Sequence, residues 1–342
     1  MTADVNGAPP LGEGRRILVT GGSGFIGRRV VRALLDEGAD VTVADKRLFP
    51  DAACRADDAQ VLGAAHDREV RTVVGDLCDP SVVEQAVLPG TDVIIHLAAV
   101  TRVLRSIEDP AQTHRVNVGV TASLLEQARV NGVGTFLFAS TNAVTGDVGR
   151  AVISERVPLR PLSPYGATKA AAEMLISAYA ACYGISGCSL RFSNVYGPGM
   201  QEKDSFVPRL MRAARDGTGI QVYGDGTQVR DLVHVDDIVA GMFLAWRAGF
   251  SGPLILGAGE SVSVNDMVDA ARGVTGCEIP VQNVPPKPGE MPAVIVDISA
   301  ARAVGYEPAH DLKSGLATVW PEFEPADRWG GSSPLGGTGG TS

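Results

Sequence analysis

The chain is poor in aromatic residues, which make up 5% of its 342 positions, and it holds only five cysteines. These lie at 54, 78, 182, 188 and 277, an odd number with no C-x-x-C spacing. That pattern favours reduced structural thiols over disulfides or zinc. With histidine and cysteine scattered along the chain, no metal centre is expected. No apolar run approaches the ~20 residues of a membrane span, and the first residues lack the basic-then-apolar layout of a signal peptide. No membrane association and a cytoplasmic location are therefore expected. Positive charge is also in deficit, 30 Lys and Arg against 39 Asp and Glu, for a net charge of −9. This argues against nucleic acid or an anionic membrane as partner. It does not argue against an anionic small ligand, because a nucleotide diphosphate is held by local donors that net charge hardly constrains.

What the chain does have is a core-forming composition, 45% hydrophobic and 20% charged. Its length suffices for one large α/β unit or two lobes. Residues 1–14 and 326–342 are rich in Gly, Pro, Ser or Thr without periodicity, and both ends are expected to be disordered. Between them, apolar runs at Arg16–Thr20, Val41–Asp45, Arg71–Gly75, Val93–Ala98, Thr135–Ser140 and Ser189–Phe192 read as strands alternating with helical patterns. Such alternation means a parallel sheet covered on both faces. The expected fold is α/β, a doubly wound parallel sheet of Rossmann type over residues 15–195. Shorter, Gly- and Pro-rich elements over 196–325 read mainly as a smaller substrate-binding lobe at the carboxyl ends of the strands.

The sharpest local signal is Ile17-Leu-Val-Thr-Gly-Gly-Ser-Gly-Phe-Ile-Gly27, a strand that runs into glycines at 21, 24 and 27 and then into a helical pattern over Arg28–Glu37. Glycine permits the tight turn and close backbone approach to a pyrophosphate, and the helix N-terminus offers free N–H groups to the anion. A second strand ends in Asp45, near the ~20-residue offset at which an acid meets the adenosine ribose hydroxyls. A carboxylate there repels a 2′-phosphate, which points to NAD rather than NADP, although Lys46 and Arg47 follow it. Further on, Tyr165 and Lys169 lie four residues apart. On a helix they share a face. A nearby ammonium, with a bound cationic nicotinamide, favours the phenolate of a phenol whose ordinary pKa is ~10.

The G-x-x-G-x-x-G loop, the Tyr165/Lys169 pair and the Ser-Thr strand end in Phe138-Ala-Ser-Thr-Asn-Ala-Val-Thr-Gly146 occur in the order that resembles the extended short-chain dehydrogenase/reductases, and among them the nucleotide-sugar epimerase/dehydratase family. The resemblance runs from about residue 15 to about residue 320 and implies a triad of Thr141, Tyr165 and Lys169. It also implies that NAD is held by Gly21, Gly24, Phe25, Ile26, Gly27, Asp45, Lys46, Asp76, Leu77, Leu97, Ala98, Ala99, Tyr165 and Lys169, while Asn117 supports the active-site helix. His96 reads as a structural strand-end histidine rather than a catalytic one. Substrate contacts implied by the resemblance are Ser140, Thr141, Asn142, Asn194 for the diphosphate, Val207, Gln221, Tyr223, Arg230 for the phosphates, and Lys287. Arginine suits phosphate through its planar fork. At Lys287 the family normally has arginine, and at Thr145 it usually has tyrosine.

In the family's 4,6-dehydratases the matching threonine is followed by Asp-Glu, the acid and base that expel water. Here Asn142 and Ala143 stand in those places, so dehydration lacks its proton carriers. The expected activity is that of an NAD-dependent 4-epimerase for UDP-glucose/UDP-galactose or UDP-glucuronate/UDP-galacturonate, acting through a 4-keto sugar. The alternatives are a UDP-glucuronate decarboxylase, a nucleotide 4-ketosugar reductase, and a catalytically silent dinucleotide-binding sensor or scaffold. Family resemblance and Ala-rich stretches such as Ala170-Ala-Ala172 imply a homodimer through helices near 109–130 and 164–183.

Overall fold

The computed structural model describes residues 11–49, 70–286 and 291–324. Along the first part of the chain come β1 (Arg16–Thr20), α1 (Phe25–Asp36), β2 (Asp40–Asp45), β3 (Arg71–Val74), α2 (Pro80–Ala86), β4 (Val93–His96), α3 (Val103–Glu108), α4 (Pro110–His114), α5 (Val120–Asn131), β5 (Thr135–Thr141), β6 (Val152–Ile153), α6 (Pro164–Tyr183) and β7 (Ser186–Phe192). The second part holds β8 (Asn194–Tyr196), α7 (Phe206–Asp216), β9 (Ile220–Tyr223), β10 (Val229–His234), α8 (Val235–Arg247), β11 (Gly252–Leu256), β12 (Ser261–Ser263), α9 (Val264–Thr275), β13 (Val281–Val284), β14 (Ile295–Val296), α10 (Ser299–Ala303) and α11 (Leu312–Val319).

Seven strands form one parallel sheet in the order β11-β7-β5-β4-β1-β2-β3. Alternate residues of a strand face opposite sides, so Ile17 and Val19 enter one apolar layer with Val30 and Leu34 of α1, while Leu18 enters the other with Leu124 of α5 and Ile176 of α6. Every residue of β4 is buried, as a central strand covered on both faces requires. The chain builds outward from β1 through β2 to β3, then returns to β4 and builds the other way. Between β1 and β4 the strand order reverses, and a crevice opens at the carboxyl ends there.

A second, smaller apolar core joins α7, α9 and α11 through Leu210, Met211, Met267, Val268 and Leu316. Above it lie the β12-β10-β8 and β13-β9 sheets. Part of the chain beyond residue 195 returns to the large sheet: β11 pairs with β7 at its edge, and Ile238 and Met242 of α8 pack in the same layer as α1. Leu11 lies within the stretch expected to be disordered and is among the described residues. Its N–H donates to the Glu37 carboxylate at 2.5 Å, and its side chain packs on the core, while residues 1–10 and 326–342 lie outside the described residues. Helix α1 begins at Phe25, three residues before the expected start, because the glycine loop itself supplies the first turn. Among the described residues, Cys78, Cys182, Cys188 and Cys277 are free thiols.

Candidate active site

A cavity of about 640 Å³ occupies the crevice at the strand-order reversal, within the size range of small-molecule sites. All of the residues expected to hold NAD line it, from Gly21, Gly24, Phe25, Ile26 and Gly27 through Asp45, Lys46, Asp76, Leu77, Leu97, Ala98 and Ala99 to Tyr165 and Lys169. Ser140 and Thr141 line it too.

The loop is shaped by glycines at which a side chain would collide with backbone. A Cβ on Gly21 would lie 2.7 Å from the Ala98 nitrogen, at a φ of +71°, and one on Gly27 would lie 2.2 Å from the Gly21 carbonyl oxygen. Helix α1 starts at Gly24 with no side-chain cap, so its first-turn N–H groups remain available to an anion. Asp45 accepts from the Ser23 and Arg47 N–H groups, each at 3.1 Å, which fixes its carboxylate at the rim. Lys46 pairs with Asp76 at 2.9 Å. The Cys78 N–H and Lys46 together hold the Asp76 carboxyl below its ordinary value against some burial. Backbone-lined anion cradle and acidic rim fit a dinucleotide with free ribose hydroxyls.

The triad stands on β5 and α6. Ser163 caps α6 by accepting from the Gly166 N–H at 3.2 Å, and Pro164 takes the first helical position. Tyr165 thus sits in the first turn, with Lys169 one turn on. Burial raises the Tyr165 pKa, and the Thr141 hydroxyl opposes that rise. Lys169 is 2% exposed. Its Nζ donates to the Ala139 carbonyl at 2.7 Å and lies 4.5 Å from the centre of the Phe138 ring. Burial pushes the ammonium down to about 7, with Glu173 opposing. The ammonium is thus directed at a backbone carbonyl, and burial sets the direction of the Tyr165 shift.

Behind the triad, the helical path from α4 to α5 contains one wide turn, Arg115–Gly119, that places Asn117 inward. Such turns recur at functional sites. The Asn117 side chain accepts from Val100 N–H at 2.8 Å and donates to the Thr168 hydroxyl at 3.0 Å, tying α6 to the end of β4. His96, 1% exposed, bonds Thr20 at 2.7 Å and Thr121 at 3.1 Å. Burial, with Lys169 nearby, pushes its pKa down to about 3, and its place is structural.

Other expected contacts are dispersed. Ser140 donates its hydroxyl to Glu173. Asn142 opens a short turn in which the Thr141 hydroxyl accepts from Ala143 N–H at 3.2 Å. Asn194 donates to the Asp231 carbonyl at 2.8 Å and Arg230 to the Val229 carbonyl at 2.8 Å, while Val207 is buried in the small core. Asn142, Asn194, Val207, Gln221, Tyr223 and Arg230 do not line the cavity, and Lys287 lies outside the described residues. Sequence reasoning missed Arg105, Gln112 and Lys203, which do line it. Only the proximity of the 199–204 segment to Phe25, a tertiary contact, could have revealed Lys203, whose ammonium stands 4.5 Å from the Phe25 ring centre.

His234, Asp236 and His310 bring potential metal-ligand atoms within 4.8 Å of one another. Their geometry suits a hydrogen-bonded joint better, since the two rings stack at 4.0 Å and bond Thr318 and Asp237. No described helix is long and apolar enough to cross a membrane.

Residues 17–256 match the family model described as the NAD dependent epimerase/dehydratase family. A dTDP-glucose 4,6-dehydratase of Streptomyces griseus is 35% identical over 318 residues, covering 92% of this chain and 95% of the relative. Among solved structures, the UDP-glucose 4-epimerase of Thermotoga maritima with UDP-glucose superposes with a TM-score of 0.81 at 30% identity, covering 90% of this chain and 98% of that one. MoeE5 in complex with UDP-glucuronic acid and NAD gives 0.78 at 34% identity, covering 90% and 99%.

Proposed function

The chain belongs to the NAD-dependent epimerase/dehydratase family, and from that premise we propose that it is a cytoplasmic nucleotide-sugar 4-epimerase acting on a UDP-hexose or UDP-hexuronate. The observation that carries the choice of reaction is the turn after Thr141, where Asn142 and Ala143 offer no group that can move a proton. Dehydration needs both an acid and a base beside the leaving water. Epimerisation needs only the triad and room for the sugar.

NAD, held by the cavity residues, would supply reversible hydride acceptance at C4 of the sugar. The protein's own part is proton handling and orientation. Tyr165 accepts the proton of the 4-hydroxyl as that carbon is oxidised, and gives it back as the 4-keto sugar is reduced on its other face. Thr141 shares the hydrogen bond of that hydroxyl and steadies the phenol. Lys169 supplies positive charge from beneath the cavity, which favours the phenolate at the moment it forms. The glycine loop, Asp45 and the Lys46–Asp76 pair hold the dinucleotide in register with these groups.

MoeE5, 34% identical, is solved with UDP-glucuronic acid and also with UDP-glucose, which supports a substrate range spanning hydroxymethyl and carboxylate at C6. Asn194 and Arg230 are proposed to reach the substrate diphosphate once it enters, and Ser140, Asn142, Val207, Gln221, Tyr223 and Lys287 to complete the substrate site. We also propose a homodimer through α5 and α6, where Val130, Met174 and Tyr183 are exposed. A panel of UDP-, dTDP- and GDP-sugars with products separated by chromatography tests the reading. Interconversion of C4 epimers of a UDP-sugar supports it, and a dehydrated product from dTDP-glucose overturns it.

A further inference from the structure

The cavity does not account for the most buried ion pair of the described structure. Glu173 and Arg191 have side chains 7% and 4% exposed, and their contact is bidentate, with Arg191 Nε at 3.0 and 3.2 Å from the two carboxylate oxygens and Nη2 at 2.7 Å from one of them. The same carboxylate accepts the Ser140 hydroxyl. Register explains the arrangement: Ser140 of β5 lies directly beside Arg191 of β7, and Glu173 comes down on both from α6. Two neighbours matter. Ser140 is flanked by Ala139, whose carbonyl receives Lys169, and by Thr141; and Glu173 is four residues beyond Lys169 on the same helix, which puts it on the same face.

We propose that Glu173 is a positioning residue for the reaction: its carboxylate, clamped by Arg191 and Ser140, keeps the Lys169 side chain charged beneath Tyr165 and fixes the strand end that carries Thr141. The titratable or charged groups around Lys169 are few. Its own helix contributes Tyr165 and Glu173, β4 contributes His96 and β7 contributes Arg191. His96 is neutral over the working range, and Glu173 is the group whose charge opposes the effect of burial on Lys169. With Glu173 opposing, burial still brings Lys169 down to about 7, and without that carboxylate the lysine loses its proton at lower pH. Glu173 therefore sets the upper pH limit of the site, without touching substrate or dinucleotide.

This inference rests on the roles given to Tyr165 and Lys169, and its test separates the two. Glu173→Gln leaves Arg191 buried without its counter-charge and risks misfolding. The paired variant Glu173→Met with Arg191→Met removes both charges together, a change that buried ion pairs commonly tolerate. Both are compared with Glu173→Asp, which keeps the carboxylate, after circular dichroism shows the fold retained. The readout is the pH profile of kcat/KM. Loss of Glu173 is expected to move its alkaline limb down by about one pH unit, with Glu173→Asp returning it toward wild type. A uniform loss of rate at every pH, with the limb unmoved, overturns the inference and leaves the pair a purely structural clamp. Should Tyr165→Phe itself retain wild-type turnover, the assignment of the base fails instead.

Discussion

Acidification from pH 7 to pH 5 tests the reading of His96 as a buried neutral residue. Thr121 donates its hydroxyl to the Asn117 carbonyl at 2.6 Å, so it can only accept from His96 Nε2–H, and Thr20 then donates to Nδ1. With the folded value pushed down to about 3 and the unfolded value near 6.5, the folded state binds fewer protons than the unfolded one between these limits. Stability is therefore intact above pH 6.5 and falls as pH drops toward 3. At pH 5 the loss is about 2 kcal/mol, from a gap of about 1.5 pH units at about 1.4 kcal/mol each. At roughly 1.4 °C per kcal/mol for a chain of this size, that is about 3 °C in Tm. The comparison protein is His96→Gln, whose amide can keep both threonine bonds and does not titrate. His234, pushed down to about 4 chiefly by burial, titrates in both proteins and cancels. Scanning calorimetry should show the wild-type Tm falling about 3 °C further than the variant's from pH 7 to pH 5. Parallel curves would refute a buried neutral His96.

Three further outcomes are expected. Tyr165→Phe should lower turnover about 100-fold or more while melting and NAD affinity hold, as removal of a general base does; steady-state kinetics retaining over a tenth of the rate, roughly, would reassign the base. Gly27→Ala forces a methyl to 2.2 Å from the Gly21 carbonyl, so calorimetry should show NAD binding weakened at least about tenfold and stability reduced by about 1–3 kcal/mol. Wild-type affinity in that variant would mean that the loop is not the cradle. Light scattering should report a mass of two chains at micromolar concentration, and a monomer there contradicts the proposed α5–α6 interface.

The glycine loop was legible because most of its constraints are local: Gly24 and Gly27 face the Gly21 carbonyl a few residues away and Gly21 has a φ of +71°, although the backbone closest to a Cβ there is that of Ala98, far along the chain. The Tyr165–Lys169 pair was legible for the same reason, being one helical turn apart. The strands came out within a few residues of their observed ends. The error at β7 was largest, since Ser186-Gly-Cys188 looks unlike a strand and is held as one by pairing with Thr135–Leu137. What escaped is what tertiary contact alone creates. Ser140, Glu173 and Arg191 are separated by 33 and 18 residues along the chain, and nothing in their spacing announces a buried clamp. The inward turn at Asn117 depends on an extra residue in a helix that composition does not mark. The return of β11 to the large sheet follows from α8 packing beside α1, through contacts across about 200 residues such as Arg29–Asp236 at 2.8 Å.

The central claim, epimerisation at C4 without loss of water or carbon, is tested most directly by incubating the purified protein with UDP-glucose and with UDP-glucuronate and recording product mass and C4 configuration. The account predicts that at least one of the two yields its C4 epimer, UDP-galactose or UDP-galacturonate, at unchanged mass. A 4,6-dehydrated sugar would show that Asn142 and Ala143 do not bar dehydration, a UDP-pentose would show decarboxylation, and failure to turn over either sugar would contradict the assigned substrate class.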